Sequence, residues 1–279
     1  VGGDPRGGIS DEQAAALADT LSRDSEVAWA VPSARERRLA VTVNEPNDQE
    51  YAGQWWLRLN AVGSEGAPGY LPAWQRWTTG AAGAVVAVLD NGIVAHPDLT
   101  DKVINGHDMV SDPAFSNDQS GRDADPSDPG DWVDATDLQL QDYKDFNCQP
   151  EPSSWHGTVI AGMLAANSNN RVGGASMNWF APVLVVRVAA KCGADAVDII
   201  DGIRWVAGLP DVCLRSDGQG VCQEVAPALP QPRARIINIS FGGDGECNSP
   251  NAPYQPAIDA ARARGVVIVA AAGNENARP

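Results

Sequence analysis

Asp90, His156 and Asn274 are a carboxylic acid, an imidazole and an amide set far apart in a chain of 279 residues. Each borders an apolar run. Asp90 closes Val85-Val86-Ala87-Val88-Leu89. His156 opens Gly157-Thr158-Val159-Ile160-Ala161-Gly162-Met163-Leu164. Asn274 ends the turn Ala271-Ala272-Gly273 after Val266-Val267-Ile268-Val269-Ala270. Brought together, the three would suit acyl transfer. A carboxylate orients the imidazole, the imidazole is the general base, and the amide NH₂ donates to a developing oxyanion. Singly, each has an ordinary explanation. An Asp at a strand end caps a helix or accepts a phosphoryl group, a His at a helix start caps or packs, and an Asn after Gly sits in a turn.

The elements that must position them alternate. Residues 85–89, 183–188, 235–240 and 266–270 are short apolar runs of the length of buried parallel strands. Helical patterns lie between them, over 156–167, 196–208 and 253–264. This alternation predicts an α/β fold, a doubly wound and mostly parallel sheet with helices on both faces. Sites in such sheets form at the carboxyl ends of the strands. Asp90, Ser240 and the turn ending in Asn274 all fall there. Ser153 and Ser154 are candidate N-caps for the His156 helix. Gly157 and Gly162 would let that helix approach neighbouring backbone closely.

Bulk composition narrows the function. With 43% apolar residues the chain can bury one large core and a small appendage. No apolar run reaches the roughly 18 residues of a membrane-spanning helix. A net charge of −16 argues against nucleic acid or an anionic membrane as partner. None of the five cysteines forms a Cys-x-x-Cys pair, so disulfides in an oxidising compartment are expected rather than zinc or redox chemistry. Cys213 and Cys222 flank a short loop that could close on itself. Cys148 and Cys192 could bridge two loops, leaving Cys247 free or paired outside the chain. Residues 101–151 form a long acidic insertion without apolar periodicity. Its clustered carboxylates suit Ca²⁺, with Asp123, Asp125, Asp128 and Asp131 as candidate ligands.

Residues 1–47 read as a separate piece. Ser10-Asp11-Glu12-Gln13 has capping-box spacing and opens a helix. Residues 27–31 and 39–43 read as the two strands of a hairpin. Residues 45–80 are irregular, with one short helix near 71–77.

The words Val88-Leu89-Asp90-Asn91-Gly92-Ile93, His96-Pro97-Asp98-Leu99, His156-Gly157-Thr158, Asn238-Ile239-Ser240-Phe241-Gly242-Gly243 and Ala271-Ala272-Gly273-Asn274 stand in this order. In order and spacing they resemble the subtilisin-like serine proteases (subtilases) over about residues 50–279. Gly121-Arg122-Asp123-Ala124-Asp125-Pro126, Gly130-Asp131-Trp132, the stretch from Arg187 to Cys192, and Gly245-Glu246-Cys247 look most like the disulfide-bonded extracellular subtilases of Gram-negative bacteria. The resemblance implies a secreted serine endopeptidase acting on polypeptides, with structural Ca²⁺ and no organic cofactor. It implies Asp90 and His156 as triad members and Asn274 as the oxyanion donor. Ser240, Phe241 and Gly242 would pair with an extended substrate. Ala271, Ala272 and Gly273 would form one wall of the pocket before the scissile bond. Residues 1–47 resemble the end of the family's inhibitory propeptide, which would act as an intramolecular inhibitor. Residues 48–279 would be the N-terminal part of the catalytic domain. His96 is expected to be structural and His107 a surface residue.

Two departures are mild: Val159 replaces a usual histidine, and Asn91 stands where the family has Ser or Thr. The third is larger. The family's nucleophile lies in a Gly-Thr-Ser-Met-Ala helix, a word that residues 1–279 do not contain. The chain is therefore expected to act with a serine-bearing C-terminal segment, either continuous with it or as a separate chain. The alternative is an inactive fragment or a propeptide-blocked binding form of the same fold. A phosphoryl-transfer domain using Asp90 with Mg²⁺ would want a lysine at a later strand end and no extracellular cysteines, and neither condition is met.

Overall fold

The computed structural model describes residues 10–32, 45–58, 66–217, 221–242 and 253–274. In chain order the elements are α1 (Asp11–Ser22), α2 (Tyr70–Arg76), β1 (Val86–Asp90), β2 (Val103–Asp108), α3 (Pro113–Ser116), α4 (Gln141–Asp145), α5 (His156–Ala165), β3 (Val183–Arg187), α6 (Ala196–Val206), β4 (Cys213–Ser216), β5 (Cys222–Val225), β6 (Ile236–Ile239), α7 (Gln255–Ala263) and β7 (Val267–Ala270). The chain divides into two units, residues 1–40 and 41–279.

In the larger unit five strands form one sheet in the order β2-β3-β1-β6-β7, and every pairing is parallel. Val86 of β1 pairs with Val183 on one side and with Ile236 on the other, so β1 is central. All five residues of β3 are buried, as expected of a strand covered on both faces. On one face α6 and α7 pack Ile199, Ile203, Val206, Ala257 and Ala261 against Leu89, Val186 and Ile237. On the other, Ala161 and Ala165 of α5 pack against Val88, Val183 and Val185. The doubly wound α/β sheet with helices on both faces is therefore present. No described helix is long and apolar enough to cross a membrane.

Residues 45–58 belong to this unit. The Asp48 carboxylate accepts from the Asn169 and Asn170 N–H groups at 2.7 and 3.0 Å. Tyr51, Leu57, Leu71 and Trp74 form a satellite core, and Trp74 Nε1 donates to the Met177 carbonyl at 3.2 Å. The smaller unit contains α1, whose capping box joins Ser10 and Gln13.

The structure corrects several sequence expectations. Residues 27–31 are not a strand, and the partner proposed for them, 39–43, lies outside the described residues. β2 lies inside the acidic insertion, where its polar sequence Val-Ile-Asn-Gly-His-Asp hid it. The hairpin β4–β5 fills the 209–232 connection. Disulfides join Cys148 to Cys192 and Cys213 to Cys222, with Cα atoms 5.5 and 5.8 Å apart. Cys247 lies outside the described residues. Gly157 is tightly packed as expected, whereas nothing lies within 4 Å of where a Gly162 side chain would begin.

Candidate active site

The strands that follow β1 build first to one side of it, as β2 and β3, and later to the other, as β6 and β7. The crevice of such a sheet opens beyond the carboxyl end of the strand where the order reverses. Asp90 is the last residue of that strand and is fully buried. Its carbonyl accepts from the N–H groups of Val188 and Ala189 at 2.8 and 3.3 Å, so the strand end is fixed.

His156 begins α5 and its Nδ1 lies 2.9 and 3.0 Å from the two Asp90 carboxylate oxygens. A carboxylate only accepts, so Nδ1–H donates and the neutral ring keeps its lone pair on Nε2. Burial pushes the Asp90 carboxyl above its ordinary range. The hydrogen bonds from His156 and the Asn91 N–H work against that shift, and the nearby Asp131 charge adds to it. The His156 side chain is 43% exposed, so the ring is anchored at one nitrogen and open at the other.

The start of α5 is built unusually. Its N-cap, Trp155, is left-handed at φ 51° and supplies no side-chain cap. A non-glycine residue in that region is strained by about 1–3 kcal/mol and needs surrounding structure to hold it. That structure comes from three places. Ser154 Oγ accepts from the His156 N–H at 3.3 Å, Asn91 Oδ1 accepts from the Gly157 N–H at 2.8 Å, and Thr158 Oγ1 accepts from the Val94 N–H at 3.0 Å. Neither Ser153 nor Ser154 is therefore the N-cap expected of them, since Trp155 holds that position. Ser154 accepts from the His156 N–H, and the shorter bond to the helix start comes from Asn91, on β1's side of the site.

A cavity of about 200 Å³ opens over His156. Ser240 and Phe241 line it, with the Phe241 ring centroid 6.2 Å from that of His156. Ala189, Ala190 and Gly193 line another side, next to the disulfide-bonded Cys192. Asn91, Asp131 and Ser154 complete the lining. Gly242 is exposed just beyond Phe241. Ala271, Ala272, Gly273 and Asn274 are exposed beyond β7, tied to β6 by the Ala271 N–H on the Ile239 carbonyl at 3.0 Å. The structure therefore brings Asp90, His156, Ser240 and Phe241 together. It sets Gly242 and residues 271–274 along the same sheet edge, outside the described lining of this cavity.

The four candidate calcium ligands are not gathered. Asp123 accepts from Ser120 Oγ and the Asp125 N–H, and Asp125 accepts from the N–H and hydroxyl of Ser127. Asp128 accepts from the Gly130 N–H. Asp131 accepts from the Ser154 N–H and hydroxyl, both at 2.6 Å, and from Asn91 Nδ2 at 3.2 Å. Among the described residues, no three acidic, histidine or cysteine side chains form a group able to hold a metal ion. These carboxylates close turns and brace the site, and as a set they do not fit one cation.

His96 is structural, its Nδ1 accepting from the Asp98 N–H at 3.2 Å. His107 is not a surface residue. It is buried on β2 beside Trp205, with Nε2 on the Leu214 carbonyl, and burial holds its pKa below the ordinary value. Two buried arginines escaped notice as site supports. Arg187, at the end of β3, pairs with Asp108 and Asp118. Arg122 pairs with Asp198 and Asp201 of α6 and ties the acidic insertion to that helix.

Residues 81–279 match the Subtilase family. The chain is 36% identical over 260 residues to an extracellular protease of Xanthomonas campestris, covering 93% of this chain and 40% of that protein. It is 36% identical over 265 residues to an extracellular basic protease of Dichelobacter nodosus, covering 95% and 39%. The chain thus spans about 40% of the length of these relatives. Among solved structures, a protease of Pseudoalteromonas arctica superposes with a TM-score of 0.66 at 39% identity, over 84% of this chain and 60% of that one. With the family words in order, the parallel sheet that carries them, and an acid–imidazole pair at its carboxyl edge, the chain belongs to the subtilase family.

Proposed function

We propose that the chain carries the acid–base half of a secreted serine endopeptidase. The observation that supports this most directly is the Asp90–His156 hydrogen bond beneath an open cleft. In the proposed reaction, His156 Nε2 takes the proton of a serine hydroxyl as that oxygen bonds to the peptide carbonyl carbon. The proton then passes to the departing amine, and water releases the acyl group by the same path reversed. Asp90 holds the Nδ1–H tautomer and stabilises the imidazolium. Asn274 donates to the oxyanion. Ser240, Phe241 and Gly242 pair with the extended substrate, and Ala271, Ala272 and Gly273 flank the residue before the cut. The attacking serine comes from outside residues 1–279.

Secretion is supported by the two disulfides and by the extracellular relatives. Residues 1–47 act in this reading as an inhibitory propeptide, and residues 48–279 as catalytic-domain sequence. No step is assigned to calcium, because the four carboxylates expected to bind it are used otherwise.

The test is labelling with a fluorophosphonate probe, which reacts only with an activated serine, followed by a denaturing gel and intact mass. Label that disappears in His156→Ala supports the proposal, on this polypeptide or on an accompanying one. A preparation whose intact mass shows the serine-bearing segment present, yet which takes no label with His156 intact, overturns the catalytic reading in favour of an inactive or blocked binding form.

A further inference from the structure

Asn91 follows Asp90 directly and is 2% exposed. Both ends of its amide are engaged. Oδ1 accepts from the Gly157 N–H at 2.8 Å. Nδ2 donates to Ser154 Oγ at 3.1 Å and to Asp131 Oδ2 at 3.2 Å. Gly157 is the neighbour of His156 on α5, as Asn91 is the neighbour of Asp90 on β1. One buried side chain therefore joins the backbone carrying the acid to the backbone carrying the imidazole. Without it the Gly157 N–H would be an orphan donor, because Trp155 gives α5 no side-chain cap.

Asp131 decides which way the amide faces. It is held on Ser154 by two hydrogen bonds of 2.6 Å. A flipped Asn91 would set its NH₂ against the Gly157 N–H and its carbonyl oxygen against the Asp131 carboxylate. Both contacts would be repulsive. The carboxylate thus selects the orientation that caps α5.

We infer that Asn91 is a positioning residue for the Asp90–His156 pair, with Asp131 fixing the orientation of its amide. This rests on the reading of Asp90 and His156 as the acid–base pair. Neither Asn91 nor Asp131 touches the reacting atoms in this assignment. Their effect is on the distance and alignment between the ends of β1 and α5.

The test is nuclear magnetic resonance of the isotope-labelled 279-residue chain. It reads two signals, the low-field Nδ1–H resonance of His156 and hydrogen exchange at the Gly157 amide. In Asn91→Ala the Gly157 amide should exchange about tenfold faster or more, and the low-field resonance should be lost, while the Ile237 amide in β6 stays protected. Asn91→Asp alone sets two carboxylates together and should act similarly. The swapped pair N91D/D131N restores acceptor to Gly157 and donor to acceptor between the two side chains, and should recover both signals. Recovery supports the inference even if Asn91→Ala fails to fold. A low-field resonance that survives Asn91→Ala, or a swap that recovers neither signal, overturns it. A parent chain whose low-field resonance is missing, or is unmoved by Asp90→Asn, instead removes the acid–base reading beneath it.

Discussion

A β-carbon on Gly157 would stand 2.3 Å from the Gly92 carbonyl oxygen, a separation that no real side chain keeps. The first turn of α5 is thus pressed onto the loop leaving β1, and that contact sets how closely His156 approaches Asp90. Gly157→Ala should destabilise the chain by about 1–3 kcal/mol, the usual result of forcing atoms into a packed site. Gly162→Ala is the control. With nothing within 4 Å of its β-carbon, it should be neutral or stabilise by up to about 1 kcal/mol through helix propensity. Denaturant midpoints of the two variants decide it, and equal losses would refute the contact argument.

Asp90→Asn replaces the acceptor of the Nδ1–H bond with an amide that can stabilise the wrong tautomer. In the proposed endopeptidase, kcat on a peptide substrate should fall about 10⁴-fold with KM little changed. Steady-state kinetics on the variant measure this, and a loss confined to KM would show that Asp90 serves binding instead.

Asp128 gives a pH signature. It is 6% exposed, with one oxygen on the Gly130 N–H and the other without a partner among the described residues. Burial, opposed by the Gly130 bond and reinforced by repulsion from Asp131, raises its carboxyl from 3.8 to about 6. The folded chain therefore holds this proton more tightly than the unfolded chain does. That contribution is complete below pH 3.8 and is lost as the pH rises through about 6. The loss amounts to about 3 kcal/mol. Asp128→Asn should melt above the parent near neutral pH and lose that advantage as the pH approaches 4. Thermal melts across this window check the sign.

The disulfides should differ in weight. Cys148 and Cys192 are 44 residues apart, whereas Cys213 and Cys222 are 9 apart. Loop-closure entropy predicts losses of about 4 and about 2.5 kcal/mol when each pair is replaced by serine. Only the first should also alter the cleft, because Gly193 lies in its lining beside Cys192. Melting temperatures compare the two losses, and a larger loss at Cys213–Cys222 would contradict the loop-length argument.

Much of this arrangement was legible in the sequence because it is written in local patterns. Strands β1, β3 and β6 lie inside the sheet and read as short apolar runs, as does β7 at its edge although Val267 and Val269 are exposed, and Asp90 and His156 could be placed at the ends of such runs. β2 did not read so, since Asn, Gly and His interrupt the apolar run in its sequence. His107 is buried because Leu214 offers it a carbonyl, which no local pattern records. The reverse error occurred at 27–31, where apolar residues alone suggested a strand. The acidic insertion misled because an Asp closing a turn and an Asp binding a cation look alike in one dimension. Asn91 passed for a mild departure from the family pattern because its partners, Asp131, Ser154 and Gly157, lie 40, 63 and 66 positions away.

The pairing of β1 carries a consequence for how the molecule comes to exist. Val86 finds its neighbours at Val183 and Ile236, so the middle of the sheet cannot close until distant stretches of chain have met. Parallel sheets with such long-range pairing fold slowly and leave apolar strands exposed in the meantime. Asp90 and His156 can be held in register only after that closure. Nascent chains should therefore pass through a sticky, catalytically silent interval, and the yield of native protein should fall steeply as refolding concentration rises.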